Sequence, residues 1–324
     1  MRRQRLAVSI SIAAVSMLVA GALHAQADYP NRPIRYIVPY PAGGSTSYIA
    51  RLVGQRYTDV WGQQVIIDNR PGGDTIIGTQ VLARARPDGY TLGFIGINTT
   101  VNQTLHQTPY DALRDFAHVA TIAAVENLLV VHPSLAATTP QEFVALARSR
   151  PGQLTFATSS AGGSTHLAAE MLNGVAGIKT RQIPYKGGGP AIADLMGGQV
   201  NFMMAVPTNV MAQVKAGRLR AIAVSGESRL SALPNIPTFS EAGVAGVSLK
   251  TWHGISSPAG TPKAIIAKLA SEVARLVALP ESKEKLDGQG FVTFYNDPDR
   301  TTALIRSDIA RFAKLIKEAN IRAE

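Results

Sequence analysis

The 324-residue sequence contains no cysteine. That absence excludes a disulfide, a thiolate nucleophile, a thiolate metal site and a lipid anchor carried on an N-terminal cysteine. Histidine is sparse as well: His106, His118, His132, His166 and His253 are dispersed, with no H-E-x-x-H or comparable pairing. No metal centre is therefore expected. The G-x-S-x-G elbow of serine hydrolases is missing, and the glycines after Lys186 make a poor dinucleotide fingerprint because no acidic residue follows a strand at the required later position. No cofactor is expected. The formal charge is +10, yet the basic residues are scattered, with no run of five or more and little aromatic interleaving, which argues against a nucleic-acid partner. Beyond residue 23, no apolar stretch approaches the length of a membrane span.

What is present begins with an export signature. Arg2, Arg3 and Arg5 precede an apolar stretch from Leu6 to Leu23, and Ala25-Gln26-Ala27 supplies an A-x-A cleavage site. Residues 1–27 read as a signal peptide, with the mature chain starting at Asp28 in the periplasm. Three positive charges leave with it, so the mature chain carries +7, a mildly attractive surface for small anions. The remaining length suits two lobes with separate cores better than one overgrown core.

Apolar strand-like runs alternate with helix-like segments along the mature chain, which predicts an α/β fold with mainly parallel sheets. Strand candidates are Ile34 to Pro39, Gln64 to Asp68, Thr91 to Ile95, Asn127 to His132, Leu154 to Ala157, Arg181 to Pro184, Val200 to Met204 and Arg220 to Val224. Thr139-Pro140-Gln141-Glu142 reads as a capping box opening a helix with Phe143, Leu146 and Ala147 inward. A helix after Thr261-Pro262 carries Ile265, Ile266, Leu269, Val273 and Leu276 and is expected to stop at Pro280. The last helix carries Ile305, Ile309, Phe312 and Ile316.

Function is legible where a glycine-rich or hydroxyl-rich turn joins a strand to a helix. The first such turn is Tyr40, Pro41, Ala42, Gly43, Gly44, Ser45, Thr46 and Ser47. Its glycines allow a tight turn and close approach, and the helix start offers free N–H groups and the positive end of the dipole to an anion. Taken alone, the same turn also reads as a plain connection with Ser45 as N-cap. The second turn holds Ser159, Ser160, Gly162, Ser164, Thr165 and His166. Two such turns more than a hundred residues apart suggest two lobes offering helix starts to one anion across a cleft. The third stretch runs Ile183-Pro184-Tyr185-Lys186-Gly187-Gly188-Gly189-Pro190. His166 and His253 are expected at the cleft as hydrogen-bond donors to a ligand.

With these turns in view, the sequence resembles the Bug-type periplasmic solute-binding proteins of tripartite tricarboxylate transporters. The ordered words that carry the resemblance include Tyr40-Pro41-Ala42-Gly43-Gly44, Asn69-Arg70-Pro71-Gly72, Pro87-Asp88-Gly89-Tyr90, Pro184-Tyr185-Lys186-Gly187 and Pro258-Ala259-Gly260-Thr261-Pro262. The resemblance implies a periplasmic binding protein-like (Venus flytrap) fold: two α/β lobes joined by two crossover segments, with residues 28–123 plus 249–324 in one lobe and 124–248 in the other. It implies that the first two turns bind a ligand carboxylate and that Asn98, Tyr185, Ala205, Val206 and Pro207 line the same cleft, with Trp252 and His253 close to it. It implies a small carboxylate ligand, an inner-membrane permease of the tripartite tricarboxylate type as partner, and a monomer without enzymatic activity. One departure stands out: members commonly have an aspartate where this chain has Ser47. Its loss favours a second ligand carboxylate over an amine, hence a dicarboxylate, with aromatic terephthalate included if Trp252 or Tyr185 offers a ring face. Two rival readings remain: a sensing adaptor that hands the same acid to a signalling receptor, and a periplasmic hydrolase using Ser160 or Ser164 with His166.

Overall fold

The computed structural model describes residues 29–159, 162–185 and 187–322. The expected signal peptide, the expected mature start at Asp28, and Ser160 and Lys186 lie outside the described residues. The first sheet comprises β1 (Ile34–Val38), β2 (Val65–Asn69), β3 (Thr91–Gly96), β4 (Phe116–Glu126), β10 (Lys250–Pro258) and β11 (Val292–Asn296), in the order β11-β4-β10-β3-β1-β2. The second comprises β5 (Leu128–Val131), β6 (Thr155–Thr158), β7 (Arg181–Pro184), β8 (Phe202–Ala205) and β9 (Arg220–Val224), in the order β7-β6-β8-β5-β9. Only Asn127 separates β4 from β5, and the chain returns to the first sheet between β9 and β10.

Helices cover both faces of each sheet. On one face of the first, Tyr36, Val38, Leu92 and Phe94 meet Ile49 and Val53 of α1 (Ser45–Trp61) and Leu269 and Val273 of α8 (Lys263–Ala278). On the other, Ile95, Ala124 and Trp252 meet Ile305 of α10 (Pro298–Glu318). In the second sheet, Leu129, Phe156 and Met204 pack with Phe143 of α4 (Pro140–Ser149) and Leu167 and Leu172 of α5 (Ser164–Ala176). Leu128, Val130 and Met203 pack with Ile192 and Leu195 of α6 (Gly188–Met196) and Val210 of α7 (Pro207–Lys215). The remaining helices are α2 (Ile76–Ala83), α3 (Ile97–Leu105) and α9 (Pro280–Asp287). α10 is unusual in belonging to both halves: Ile305 lies in the first sheet's core, whereas Phe312 and Ile316 lie in the second's.

The fold class matches the sequence reading, with three corrections. The sheets are mixed, not mainly parallel. β1 with β2 and β3, and β6 with β7 and β8, run parallel. β10 runs antiparallel to β3 and β4, β11 to β4, and β5 to β8 and β9. The second correction concerns β4, β10 and β11, which had no sequence candidate; all three pair antiparallel with a neighbour. Third, Pro280 does not simply stop a helix: α8 ends at Ala278, and Pro280 then occupies the first position of α9, where its missing N–H costs nothing. The Thr139 capping box is present, with the Thr139 side chain accepting from the Glu142 N–H.

Candidate functional site

In each sheet the parallel strands end at one edge, where open α/β sheets hold their ligands. β1 runs into the first glycine-rich turn and α1. Tyr40 is half-buried with its ring edge-on to Phe94 at 5.6 Å, residues 41–44 are exposed, and Thr46 and Ser47 are buried. Gly43 has φ +94, a left-handed conformation that a side chain would strain. The N-cap of α1 is Gly44, not Ser45, and its helix start has neither a side-chain cap nor an acidic residue in the first turn. Asn69, at the end of the neighbouring β2, holds this turn from beneath: its Nδ2 donates to the Tyr40 carbonyl at 2.8 Å and to Ser47 Oγ at 3.0 Å.

The second turn follows β6. Thr165 Oγ1 accepts from the Ser159 N–H at 3.1 Å and lies 3.2 Å from Ser159 Oγ. His166, 4% exposed, accepts from the Gly162 N–H through Nδ1 at 3.0 Å. Its Nε2 faces Glu170 Oε1 at 3.8 Å, and burial pushes its pKa down to about 4. The ring is therefore neutral at ordinary pH, protonated on Nε2, and it braces its own turn. His166 was expected to donate to a ligand; Nδ1 is taken by the chain, whereas the Nε2–H, 3.8 Å from Glu170, makes no hydrogen bond among the described residues. Gly163 is the N-cap of α5, again without a side-chain cap or a first-turn acid.

Gly162 has φ +67, and a Cβ there would come within 2.1 Å of Leu105 Cδ1 and 3.3 Å of Val101 Cγ1. Both neighbours belong to α3, which continues directly from β3 of the first sheet and carries the half-buried Asn98 in its first turn. The second turn thus lies against an element of the other sheet. A second contact of this kind joins Val206 to the first sheet's core and places Pro207 against Gly290, 3.2 Å from where a Cβ would stand. Ala205, Val206 and Pro207 form the junction of β8 and α7.

The third stretch is tied to the second turn: the Tyr185 N–H donates to the Thr158 carbonyl and the Gly187 N–H to the Ser159 carbonyl, both at 2.9 Å. Gly187 is the N-cap of α6, a third helix start without a side-chain cap or acid. The Tyr185 hydroxyl donates to Asp194 Oδ2 at 2.7 Å, and burial together with that carboxylate pushes the phenol up to about 12.

Trp252 and His253 part company. Trp252 is 1% exposed and its Nε1 donates to Asp308 Oδ2 at 2.7 Å on the α10 side of the first sheet. It offers no ring face to a ligand. His253 points to the opposite side, edge-on to Phe94 at 5.4 Å and to Phe291 at 5.3 Å. Burial drives its pKa down to about 4, and Nδ1 has no partner among the described residues. Phe291 in turn stacks on Tyr48 at 6.1 Å. Tyr40, Phe94, His253, Phe291 and Tyr48 therefore form one aromatic array beneath the first turn. The sequence reading missed its Tyr48, Phe94 and Phe291, as well as Asn69, although Asn69 lay within a quoted motif.

The arrangement is suited to holding an anion through main-chain N–H groups and helix dipoles. Comparisons with known proteins point the same way. The family model described as "Tripartite tricarboxylate transporter family receptor" matches residues 49–321. A solved structure titled R. palustris Rpa4515 with adipate is 32% identical, covers 91% of this chain and 100% of its own, and superposes with a TM-score of 0.84. The periplasmic binding protein BugD is 29% identical, with 91% and 100% covered and a TM-score of 0.80. MatC from Rhodopseudomonas palustris, with bound malate, is 26% identical, with 89% and 100% covered and a TM-score of 0.77. On sequence and architecture together, this chain belongs to the tripartite tricarboxylate transporter family of receptors, as a Bug-type periplasmic solute-binding protein.

Proposed function

We propose that the protein captures a small dicarboxylate between its two sheets and delivers it to a tripartite tricarboxylate-type permease. The observation that carries this reading is the set of four glycine-capped, acid-free helix starts, α1 and α3 from one sheet and α5 and α6 from the other, at the carboxyl ends of parallel strands. Such starts hold a carboxylate without a buried cation. Adipate and malate, in the titles of the two related structures, are both dicarboxylates. Ser47 supports the same class, since a neutral hydroxyl bonded to Asn69 leaves room for a second negative group. Terephthalate is the aromatic member of the proposal. Its case rests on Tyr185, because Trp252 is spent in the core.

Capture proceeds by closure: bonds from both halves exist together only when the halves meet, so the ligand shifts a hinge equilibrium by its differential affinity for the closed form. The moving bodies in this reading are residues 28–123 plus 249–324 and residues 124–248. Sheet membership supports a division of this kind but moves its first boundary to Asn127, since residues 124–126 are still in β4 of the first sheet, and α10 reaches from the first body into the second body's core. The hydrolase alternative is disfavoured by His166, whose Nδ1 already accepts from Gly162 and so has no free lone pair for a serine proton. The test is a thermal-shift and calorimetric series with adipate, malate, terephthalate, aspartate and nicotinamide. A dicarboxylate without an amine is expected to raise Tm most; a clear preference for aspartate or nicotinamide would defeat the proposal.

A further inference from the structure

Asn127 is the whole of the first crossover, standing between the last residue of β4 and the first of β5. It is fully buried, and three bonds converge on it. Its N–H donates to Ser225 Oγ at 2.8 Å, and its carbonyl accepts from the Ser225 N–H at 2.7 Å, so it is clasped to the first residue after β9, where the second crossover begins. Its side-chain Nδ2 donates to the Ser164 carbonyl at 2.9 Å. Ser164 opens α5 and closes the second anion turn. The two crossovers and the turn are thus joined through one residue.

Two further facts set this bond apart from ordinary packing. Asn127 Oδ1 is buried with no partner among the described residues. Leaving an amide oxygen unmatched in the interior is unfavourable, so satisfying its own polar atoms does not explain an asparagine here; the donation to Ser164 does. Within the turn, Thr165 and His166 bond to Ser159 and Gly162; from outside it, Gly162 is wedged against α3 of the first sheet, and Asn127 reaches the Ser164 carbonyl. Both braces, α3 on one side and the crossover on the other, belong to parts that shift when the two bodies rotate.

We infer that Asn127 is a positioning residue that couples the clasped crossovers to the start of α5, so that the turn around Ser159 to His166 keeps its ligand-holding shape only while the clasp is intact. The inference rests on the proposal that this turn binds a carboxylate, and it predicts that lobe orientation and the geometry of the turn change together. Rotation about the single linking residue would alter the approach of Nδ2 to the Ser164 carbonyl, loosening the helix start as the cleft opens.

Hydrogen exchange on the ligand-free protein tests the coupling without knowledge of the ligand. Asn127→Ala removes the donor, Asn127→Asp replaces it with an oxygen of the same shape, and Ser225→Ala loosens the clasp while sparing the Asn127 side chain. Asn201→Ala serves as control: that side chain accepts from the Thr155 N–H at 2.7 Å in the same sheet but does not touch the turn. The expected result is amide exchange over residues 162–168 at least tenfold faster in the Asn127 variants and several-fold faster in Ser225→Ala, with α4 changed less than twofold. Adipate, used as probe, is expected to bind the Asn127 variants about tenfold more weakly, through faster dissociation. Unchanged exchange over 162–168 in the variants that fold, or a rise no larger than in Asn201→Ala, overturns the coupling. If adipate and the other dicarboxylates fail to bind the unmodified protein, the dicarboxylate proposal falls, and the exchange arms still judge Asn127 by themselves.

Discussion

The two glycine-rich turns share a plan and differ in how they are held. The first is exposed across residues 41–44 and tied down at its ends by Asn69. The second is buried at Gly162, Gly163, Thr165 and His166 and braced from inside by a neutral imidazole. A similar contrast separates helix starts. The side-chain caps among the described residues are at Thr139 on α4 and Asp297 on α10, where Glu142 and Asp299 also complement the dipole. The starts of α1, α5 and α6 lack both devices, so their N–H groups and positive dipole ends remain available to a guest. The starts of α2, α3, α7 and α8 lack both devices too, so what sets α1, α5 and α6 apart is their place after a glycine-rich turn at the end of a parallel strand.

Acid should break the contrast between the turns most strongly. His118, His166 and His253 are each pushed from an ordinary 6.5 to about 4 by burial. The unfolded chain therefore binds more protons as pH falls, so stability that is present above pH 6.5 is lost on the way down to about 4. Each contributes up to about 3 kcal/mol. Urea titrations from pH 7.5 to 4.5 should show this loss, and His166→Gln should shrink it by one share. Glu126 has the opposite sign: burial raises its carboxyl from 4.5 to about 7, so its contribution is present below pH 4.5 and is lost as pH rises through 7. Glu126→Gln should remove this opposing contribution and so steepen the rise in stability between pH 4.5 and 7.

Next in size is the glycine pair. Gly162→Ala adds a Cβ against Leu105 in a left-handed residue and should cost roughly 2–4 kcal/mol in urea unfolding. Gly43→Ala meets nothing within 4 Å, so only its φ of +94 is penalised, at about 1–2 kcal/mol. Equal costs would erase the distinction between a wedged turn and an open one.

Ser47→Asp sharpens the first turn's chemistry. A carboxylate placed beside the open helix start should weaken dicarboxylate binding by about 1–2 kcal/mol, about five- to thirtyfold by calorimetry, and favour ligands bearing an amine. The smallest effect belongs to a capped helix: Thr139→Ala should cost about 1 kcal/mol of stability and leave ligand affinity unchanged.

Much of this plan is readable in the chain. All eight strand candidates coincide with observed strands to within one or two residues, because most are short apolar runs bounded by turn residues; Arg181–Pro184 is the polar exception. The three strands without a candidate have tertiary causes. β10 carries Gly254, Ser256, Ser257 and Pro258, poor strand formers that burial between β3 and β4 makes viable. β11 is a partly exposed edge strand, and β4 is rich in alanine. Missing β10 also misplaced Trp252: adjacent residues of a strand point to opposite faces, so grouping it with His253 failed once a strand ran through both. Asn69 and Asn127 act across 22 and 37 residues, and no local periodicity announces such partners. For His166, the bond of Nδ1 to the Gly162 N–H was not legible, since a ring nitrogen turns toward whichever N–H the folded turn supplies.

α10 has a practical consequence for anyone attaching something to this molecule. Its first half is embedded in one core through Ile305 and its last turns in the other through Phe312 and Ile316, with Ile321 also buried just before the end of the chain. α10 is thus a tether strapped across both halves, and a dye or tag attached to it that unwinds its last turns would alter the very motion it was meant to report.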